Sequence, residues 1–207
     1  MNVIDDRAVF TRPRVLRTTN RSQVVRFAAE IPHSGENLTE SVECVLKFFT
    51  NLSEISYKKE LAAYAALSEH GISDFPSVMG YAEWSAEKYL GTLGRRKSLV
   101  NGNSVIFVIM LEYVRDSVPL SSIANISPEI AKAALASLSR LHAAGIVHGD
   151  ISQDNILATE GKGQTVNLKW IDFSCSWTNA SRNQIEWETE TAAQYLAQWV
   201  QTQTPGL

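Results

Sequence analysis

Residues 148–157, HGDISQDNIL, constrain the fold more than any other stretch of the sequence. They place a His, two Asp and an Asn within eight positions, between a predicted helix and a predicted strand. A short hairpin then leads to WIDFS, residues 170–174, which carries a further Asp. Carboxylate and amide oxygens at loop and strand ends suit a hard cation such as Mg²⁺. The pattern indicates a site for a phosphate and its metal ion, although plain turn and cap residues would look similar.

Composition and charge limit the class of protein. The chain has 207 residues, 44% of them apolar and 20% charged, which fits one domain or one compact two-lobed unit. A formal net charge of −3 provides no general basic field, so no clear nucleic-acid surface is predicted. Cys44 and Cys175 lie far apart and are expected to be reduced thiols. Because the N-terminus lacks signal-peptide features and the apolar run at 105–111 is short, we expect a cytoplasmic protein without a membrane partner.

The periodicity of apolar residues predicts an α+β chain. The first half is read as strands with one helix, and the second half as helix, hairpin and helix. The predicted strands are 24–27, 41–49, 104–114, 156–157 and 166–171, and the predicted helices are 54–70, 127–145 and 187–200. Ser127-Pro128-Glu129 supplies a cap, a first-turn proline and a first-turn acid for the second helix. The predicted division is a sheet-plus-helix lobe at 1–114 and a reduced, mostly helical lobe at 115–207.

HGDISQDNIL followed by WIDFS resembles the catalytic and metal-binding segments of the protein-kinase-like superfamily. The resemblance is to the HGD-type branch, which includes aminoglycoside phosphotransferases, choline-kinase-like enzymes and the small atypical kinases of the RIO and Bud32 type. It implies a two-lobed fold whose first lobe contains a small antiparallel sheet. It also implies that Asp150 is the catalytic base, that Asn155 and Asp172 bind Mg²⁺, and that ATP is bound. His148 would hold the loop rather than carry a proton.

The resemblance predicts a lysine on a strand and a glutamate on the next helix. Lys47 lies within the apolar stretch VECVLKFF, and Glu60 shares a helix face with Tyr57, Tyr64 and Leu67. Two charges that both point inward need each other, because an unpaired buried charge is costly. We expect a Lys47–Glu60 ion pair that orients the nucleotide phosphates. The alternatives are a strand-edge lysine that reaches solvent and a glutamate on the exposed surface of the helix.

Two further segments bear on nucleotide binding. MLEYV, residues 110–114, resembles the hinge between lobes, so backbone groups around Glu112 and Val114 are expected to hold the adenine edge. The glycine-rich phosphate loop is missing, since Thr19-Asn20-Arg21-Ser22 stands in its place. Only 33 residues follow Ser174, which favours the small RIO and Bud32 type.

The leading functional hypothesis is an ATP- and Mg²⁺-dependent phosphotransferase that acts on a hydroxyl of a small-molecule or protein acceptor. A second hypothesis is a pseudokinase-type scaffold that works through a protein partner, since the glycine-rich loop is absent. A third is a kinase fold redirected to another reaction on a small molecule. The tryptophans at 170, 177, 187 and 199 are expected to pack in the core and between the lobes rather than to form a stacking platform.

Overall fold

The structure is a computed structural model that describes residues 2–19, 22–32, 39–93, 105–160 and 166–201. The chain divides into two compact units, Met1–Lys58 with Ser77–Tyr113 and Lys59–Pro76 with Val114–Leu207. Packing therefore assigns residues 59–76 to the same unit as the C-terminal half. The predicted division into two lobes at residue 114 stays a prediction.

Along the chain, groups of one to three strands are each followed by a single helix. They are β1 (Val9–Thr18), β2 (Ser22–Pro32), β3 (Thr39–Thr50), α1 (Glu54–Glu69), β4 (Val78–Ser85), α2 (Ala86–Leu93), β5 (Val105–Glu112), β6 (Val118–Pro119), α3 (Pro128–Ala143), β7 (Ile156–Glu160), β8 (Val166–Trp170) and α4 (Arg182–Gln201). The mixed α+β class is confirmed. The sequence also predicts a hairpin loop at 95–103, which lies outside the described residues.

The first unit is built on a five-stranded antiparallel sheet in the order β1-β2-β3-β5-β4. Successive side chains of β3 point to opposite faces of the sheet. Cys44, Leu46 and Phe48 lie on the face that packs in the hydrophobic core of this unit. Lys47 therefore points to the opposite face of the sheet. The small antiparallel sheet that the resemblance implied is confirmed.

The prediction of a single helix in the N-terminal half is wrong. Helix α2 lies in the first unit and buries Ala86, Tyr89 and Leu93 along one stripe. It was missed because it has only eight residues, one of them glycine, which falls below the length that periodicity detects well. Strands β1 and β4 were also missed. Nine of the ten residues of β1 are exposed, so no inside-outside alternation marks it, and pairing with β2 holds it instead.

Helix boundaries follow local chemistry. The Ser127 hydroxyl accepts a hydrogen bond from the Ile130 N–H at 3.3 Å, so the predicted N-cap of α3 is confirmed. Gly145 follows the same helix with φ +71°, a left-handed conformation that glycine adopts without a Cβ clash. Gly71 ends α1 in the same way with φ +64°, and the Ile72 N–H reaches back to the Leu67 carbonyl at 3.1 Å.

The second unit combines a three-stranded sheet, β6-β7-β8, with α3 and α4. Strands β7 and β8 pair antiparallel, and their inward residues Ile156 and Trp170 are both 0% exposed. Within the described residues, no helix combines the length and apolar character needed to cross a bilayer.

Replacing Phe48 tests the core of the first unit. Phe48 is 2% exposed and packs against the rings of Phe27, Trp84 and Tyr89. Phe48→Ala should lower the free energy of unfolding by about 3–5 kcal/mol, because it removes buried apolar area and leaves a cavity. Urea unfolding followed by circular dichroism measures this. The control is Leu52→Ala at a residue 93% exposed, which should change stability by under about 0.5 kcal/mol.

Candidate active site

The polar loop at 148–155, which we call the HGD loop, connects α3 to β7 and closes on itself. The Asn155 amide nitrogen donates to Asp150 twice, at 2.8 Å to the carboxylate Oδ2 and at 3.0 Å to the backbone carbonyl. Asn155 is 0% exposed, whereas Asp150 is exposed. The buried amide thus fixes a carboxylate that faces solvent. The structure brings together these two predicted site residues.

The imidazole of His148 is fully buried between the rings of Trp170 and Phe173, with ring centroids 5.2 and 4.8 Å away. Its Nε2 lies 3.0 Å from the Ile171 carbonyl oxygen, and the Asp150 N–H donates to its Nδ1 at 3.3 Å. Only the neutral ring with the proton on Nε2 satisfies both contacts. Burial lowers the pKa of His148, although Glu188 and other acceptors oppose the shift. These contacts support the expected role of His148 in holding the loop.

Gly149 is required by backbone packing. Its φ is +79°, and a Cβ on this residue would lie 2.3 Å from the carbonyl oxygen of Cys175. A contact that short with a backbone atom cannot be relieved by a side-chain movement. The HGD loop and residues 173–175 therefore pack main chain against main chain.

Asp172 begins the short turn at 172–174, which we call the DFS turn. Its backbone is left-handed, with φ 65° and ψ 68°, which is uncommon for a residue with a side chain and marks candidate functional sites. The Ser174 hydroxyl donates to Asp172 Oδ1 at 2.6 Å. The Asp172 side chain makes no capping hydrogen bond to the 3₁₀ turn that follows it, so the alternative of a simple cap residue is not supported.

Glu188 on α4 is the main residue that sequence reasoning missed. Its carboxylate is 1% exposed and accepts from the His148 N–H at 2.8 Å and the Gly149 N–H at 2.6 Å. His142 on α3 adds a contact of 2.8 Å from Nε2. Burial raises the pKa of Glu188, but the hydrogen bonds from His142 and the two amides outweigh it, and the net pKa is lowered.

A sequence signal for Glu188 existed. The buried residues of α4 recur every four positions, at Glu188, Ala192 and Leu196, so the acid falls in the only apolar stripe of the described part of this helix. An acid in such a stripe needs a buried donor. Which donors it meets depends on the fold, because the HGD loop lies about forty positions earlier.

Glu60 belongs to the second unit, with the C-terminal part of α1. It is 0% exposed, which excludes the alternative of a surface glutamate. The neighbouring Tyr64 is 3% exposed and packs its ring against Phe173 at 5.1 Å. Burial raises the pKa of Tyr64 well above its usual value, and the negative charges of Glu60 and Asp172 raise it further. The inward face of α1 is therefore joined to the DFS turn.

Lys47 lies in the first unit and is 3% exposed, which excludes a strand-edge lysine that reaches solvent. Its Nζ lies 5.1 Å from the centroid of the Phe49 ring. Because Lys47 and Glu60 belong to different units, the predicted ion pair between them stays a prediction.

The hinge residues also fall in different units. The Glu112 carboxylate accepts from the Ser77 N–H at 3.1 Å and the Ser77 hydroxyl at 3.2 Å. The Val114 carbonyl accepts from the Ser117 hydroxyl at 2.7 Å. Their role toward adenine stays a prediction.

Thr19 and Ser22 flank the position where the resemblance predicts a glycine-rich loop. The Thr19 N–H donates to the Ser22 carbonyl at 2.9 Å, and the Ser22 N–H donates to the Thr19 hydroxyl at 3.0 Å. Asn20 and Arg21 lie outside the described residues. The flanking backbone amides are thus engaged within the hairpin itself.

Glu188→Gln should loosen the HGD loop. The neutral amide offers one acceptor oxygen in place of two charged ones, so buried N–H groups lose strong hydrogen bonds. We expect a loss of about 3 kcal/mol in the free energy of unfolding at pH 7. Because the pKa of Glu188 is lowered in the fold, its contribution is present above pH 4.5 and is lost as the pH falls through the folded value. Urea unfolding from pH 3 to 7 measures both effects.

The matched control is Glu190→Gln, an exposed acid two positions further along the same helix. It should leave stability within about 0.5 kcal/mol of the wild type. Equal losses in the two variants would contradict the role assigned to Glu188.

The tautomer of His148 can be observed directly. Nitrogen-15 spectra of the imidazole at pH 6.5 should show a neutral ring with the proton on Nε2, because its pKa is lowered from 6.5 by burial. His148→Gln identifies the signal. Since protonation favours the unfolded chain here, His148 contributes most to stability above pH 6.5 and loses this contribution as the pH falls toward the lowered folded value. A charged ring at pH 6.5 would contradict the hydrogen-bond assignment.

Comparisons with known proteins identify the family. Residues 85–193, a little over half of the chain, match the model of the family described as "Lipopolysaccharide core biosynthesis protein (WaaY)". This match includes the HGD loop, the DFS turn and Glu188. No curated protein sequence matches the chain.

Among solved structures, the chain is similar to the Rio2 kinase from Chaetomium thermophilum, crystallised as an ADP/Mg²⁺-phosphoaspartate complex. The TM-score is 0.63 and the sequence identity 19%, and the match covers 96% of this chain and 58% of that chain. The chain thus spans less than two thirds of that protein's length, and the likeness shows the fold. Membership of the HGD-type branch stays a prediction. The fold is that of the protein-kinase-like superfamily, and the chain belongs to the WaaY family of lipopolysaccharide core biosynthesis proteins.

Proposed function

We propose that the protein is an ATP- and Mg²⁺-dependent phosphotransferase that transfers the γ-phosphate to a hydroxyl of a lipopolysaccharide core saccharide. The family and the fold support a kinase-like phosphotransferase, and the part that the family takes in lipopolysaccharide core biosynthesis suggests the acceptor class. The observation that carries the proposal is the buried Asn155 amide, which holds the exposed Asp150 carboxylate in a fixed position. A scaffold would not need a carboxylate so held.

Asp150 is the proposed general base. Its Oδ2 accepts from Asn155, and we assign Oδ1 to the proton of the acceptor hydroxyl. A fixed carboxylate lowers the entropy cost of meeting the hydroxyl, because its side chain has already lost its freedom. His148 takes no part in proton transfer, since both of its nitrogens are committed.

Asn155 and Asp172 are the proposed Mg²⁺ ligands. The Asn155 amide nitrogen donates to Asp150, and we assign the amide oxygen Oδ1 to the ion. Together with the Asp172 carboxylate this gives only oxygen donors, which fit a hard cation. Phosphate oxygens and water would complete the coordination of the ion. The bound ion would neutralise charge on the transferring phosphate.

The nucleotide is proposed to bind through the residues that the sequence predicts for it. Lys47 would contact the phosphates and be oriented by Glu60, and the backbone near Glu112 and Val114 would contact adenine. The burial of Lys47 at 3% and Glu60 at 0% supports this, because each charge is costly to bury alone.

A pseudokinase-type scaffold is the second candidate, and the hydrogen bonds between Thr19 and Ser22 favour it. Thr19 and Ser22 engage their own backbone amides with each other. Glycine-rich loops instead present backbone N–H groups to phosphate.

Two substitutions separate these candidates. Asp150→Asn should lower kcat by about 10²–10⁴-fold and leave the Kd for ATP unchanged, because it removes the base alone. Asp172→Ala should abolish the Mg²⁺ dependence of ATP binding. Transfer of labelled phosphate to deacylated lipopolysaccharide core oligosaccharide gives kcat, and calorimetry with and without Mg²⁺ gives the Kd.

The control is Asp154→Asn, an exposed acid in the same loop, which should keep wild-type kcat. If the wild type gives neither heat nor thermal stabilisation with saturating ATP, the phosphotransferase proposal fails and the scaffold is favoured.

A further inference from the structure

Trp177 contradicts the expectation that the tryptophans of the C-terminal half are all core residues. Trp170 is 0% exposed, but Trp177 is 54% exposed and Trp187 67% exposed. Single exposed aromatic residues are common and need no explanation by themselves. Trp177 has, in addition, contacts that hold it beside the HGD loop.

The backbone of Trp177 is paired with the residue that precedes this loop. Val147 and Trp177 exchange two hydrogen bonds, of 3.0 and 3.1 Å, in an isolated antiparallel bridge. The same segment packs against Gly149, whose ideal Cβ would lie 2.3 Å from the Cys175 carbonyl oxygen. Hence the backbone of Trp177 is anchored beside the loop that carries Asp150.

The side chain of Trp177 is held as well. The Lys59 ammonium lies 3.8 Å from the centroid of the Trp177 ring, a cation–π contact. The Ser176 hydroxyl also donates to the Lys59 carbonyl at 3.3 Å, which ties this part of α1 to the same segment. The ammonium contacts one face of the indole, and the residue still exposes 54% of its surface.

We propose that Trp177 and Lys59 form the acceptor subsite and that it takes an acidic saccharide. This rests on the proposed function and narrows its substrate. The C–H bonds of one face of a sugar ring are weakly positive, and they complement the negative face of an indole. The compact charge of Lys59 suits a phosphate or carboxylate substituent on the same saccharide. A rigid, exposed platform binds a flexible saccharide at little entropy cost to the protein.

Steady-state kinetics test the stacking. Trp177→Ala should raise KM for deacylated, phosphorylated core oligosaccharide about tenfold and leave KM for ATP unchanged. Trp177→Phe should recover most of the loss, since a smaller ring still stacks. The control is Trp187→Ala, which removes a more exposed indole from α4. An unchanged acceptor KM in Trp177→Ala would overturn the proposal.

The charge is tested in the same assay. Lys59→Gln should raise KM for the phosphorylated oligosaccharide several-fold more than for the same oligosaccharide after phosphatase treatment. Lys58→Gln is the matched control, because Lys58 is the neighbouring lysine and pairs with Glu54 at 2.5 Å. Equal effects on both oligosaccharides would remove Lys59 from the subsite.

A binding measurement separates this inference from the proposed function. Indole N–H signals of the wild type are titrated with the phosphorylated oligosaccharide in the absence of nucleotide, and Trp177→Phe identifies the Trp177 signal. If the signal shifts in this titration but the separate assay with ATP shows no phosphate transfer, the saccharide site is kept and the phosphotransferase is rejected. Transfer without a shift rejects the subsite alone. Neither transfer nor a shift rejects both.

Discussion

The candidate site depends on the hydrogen bonds that the Glu188 carboxylate accepts. The HGD loop turns through a left-handed glycine, and this turn directs the His148 and Gly149 N–H groups toward the interior. A buried N–H without an acceptor costs about as much as a lost hydrogen bond. Glu188 accepts from both, and His142 shares the same carboxylate. The loop can keep its conformation because a buried anion from the last helix satisfies it.

Further hydrogen bonds connect the HGD loop with the DFS turn. His148 meets the Ile171 carbonyl through Nε2, and the Ile171 N–H donates to the Asn155 carbonyl at 2.9 Å. Two hydrogen bonds therefore connect the HGD loop with the residue before Asp172. The left-handed backbone of Asp172 is maintained because both of its neighbours are held, Ile171 by these bonds and Phe173 by complete burial. The polar groups form one connected set rather than separate contacts.

The sequence predicted the parts of this set that are local. Asp150 and Asn155 are five positions apart in one loop, and their contact follows from a short turn. Glu188 was not predicted, because an acid on a helix usually faces solvent and its buried partners lie far away in sequence. Strand β1 was not predicted for a related reason. Its exposure leaves no alternation, and only pairing with β2 defines it. Sequence periodicity does not show which residues far apart in the chain contact each other.

A buried polar set of this kind is an expensive way to stabilise a fold. Apolar residues of similar volume would often stabilise the fold as much or more, because charged and polar groups lose their hydration when they are buried. Glu188, His142 and His148 are all buried, yet the groups they hold lead outward to the exposed Asp150. The departure from kinase-like sequences, at Thr19 and Ser22, lies in the other unit. The buried polar groups of the second unit thus hold the loop that carries one exposed carboxylate, which supports the proposed chemistry over a purely structural role.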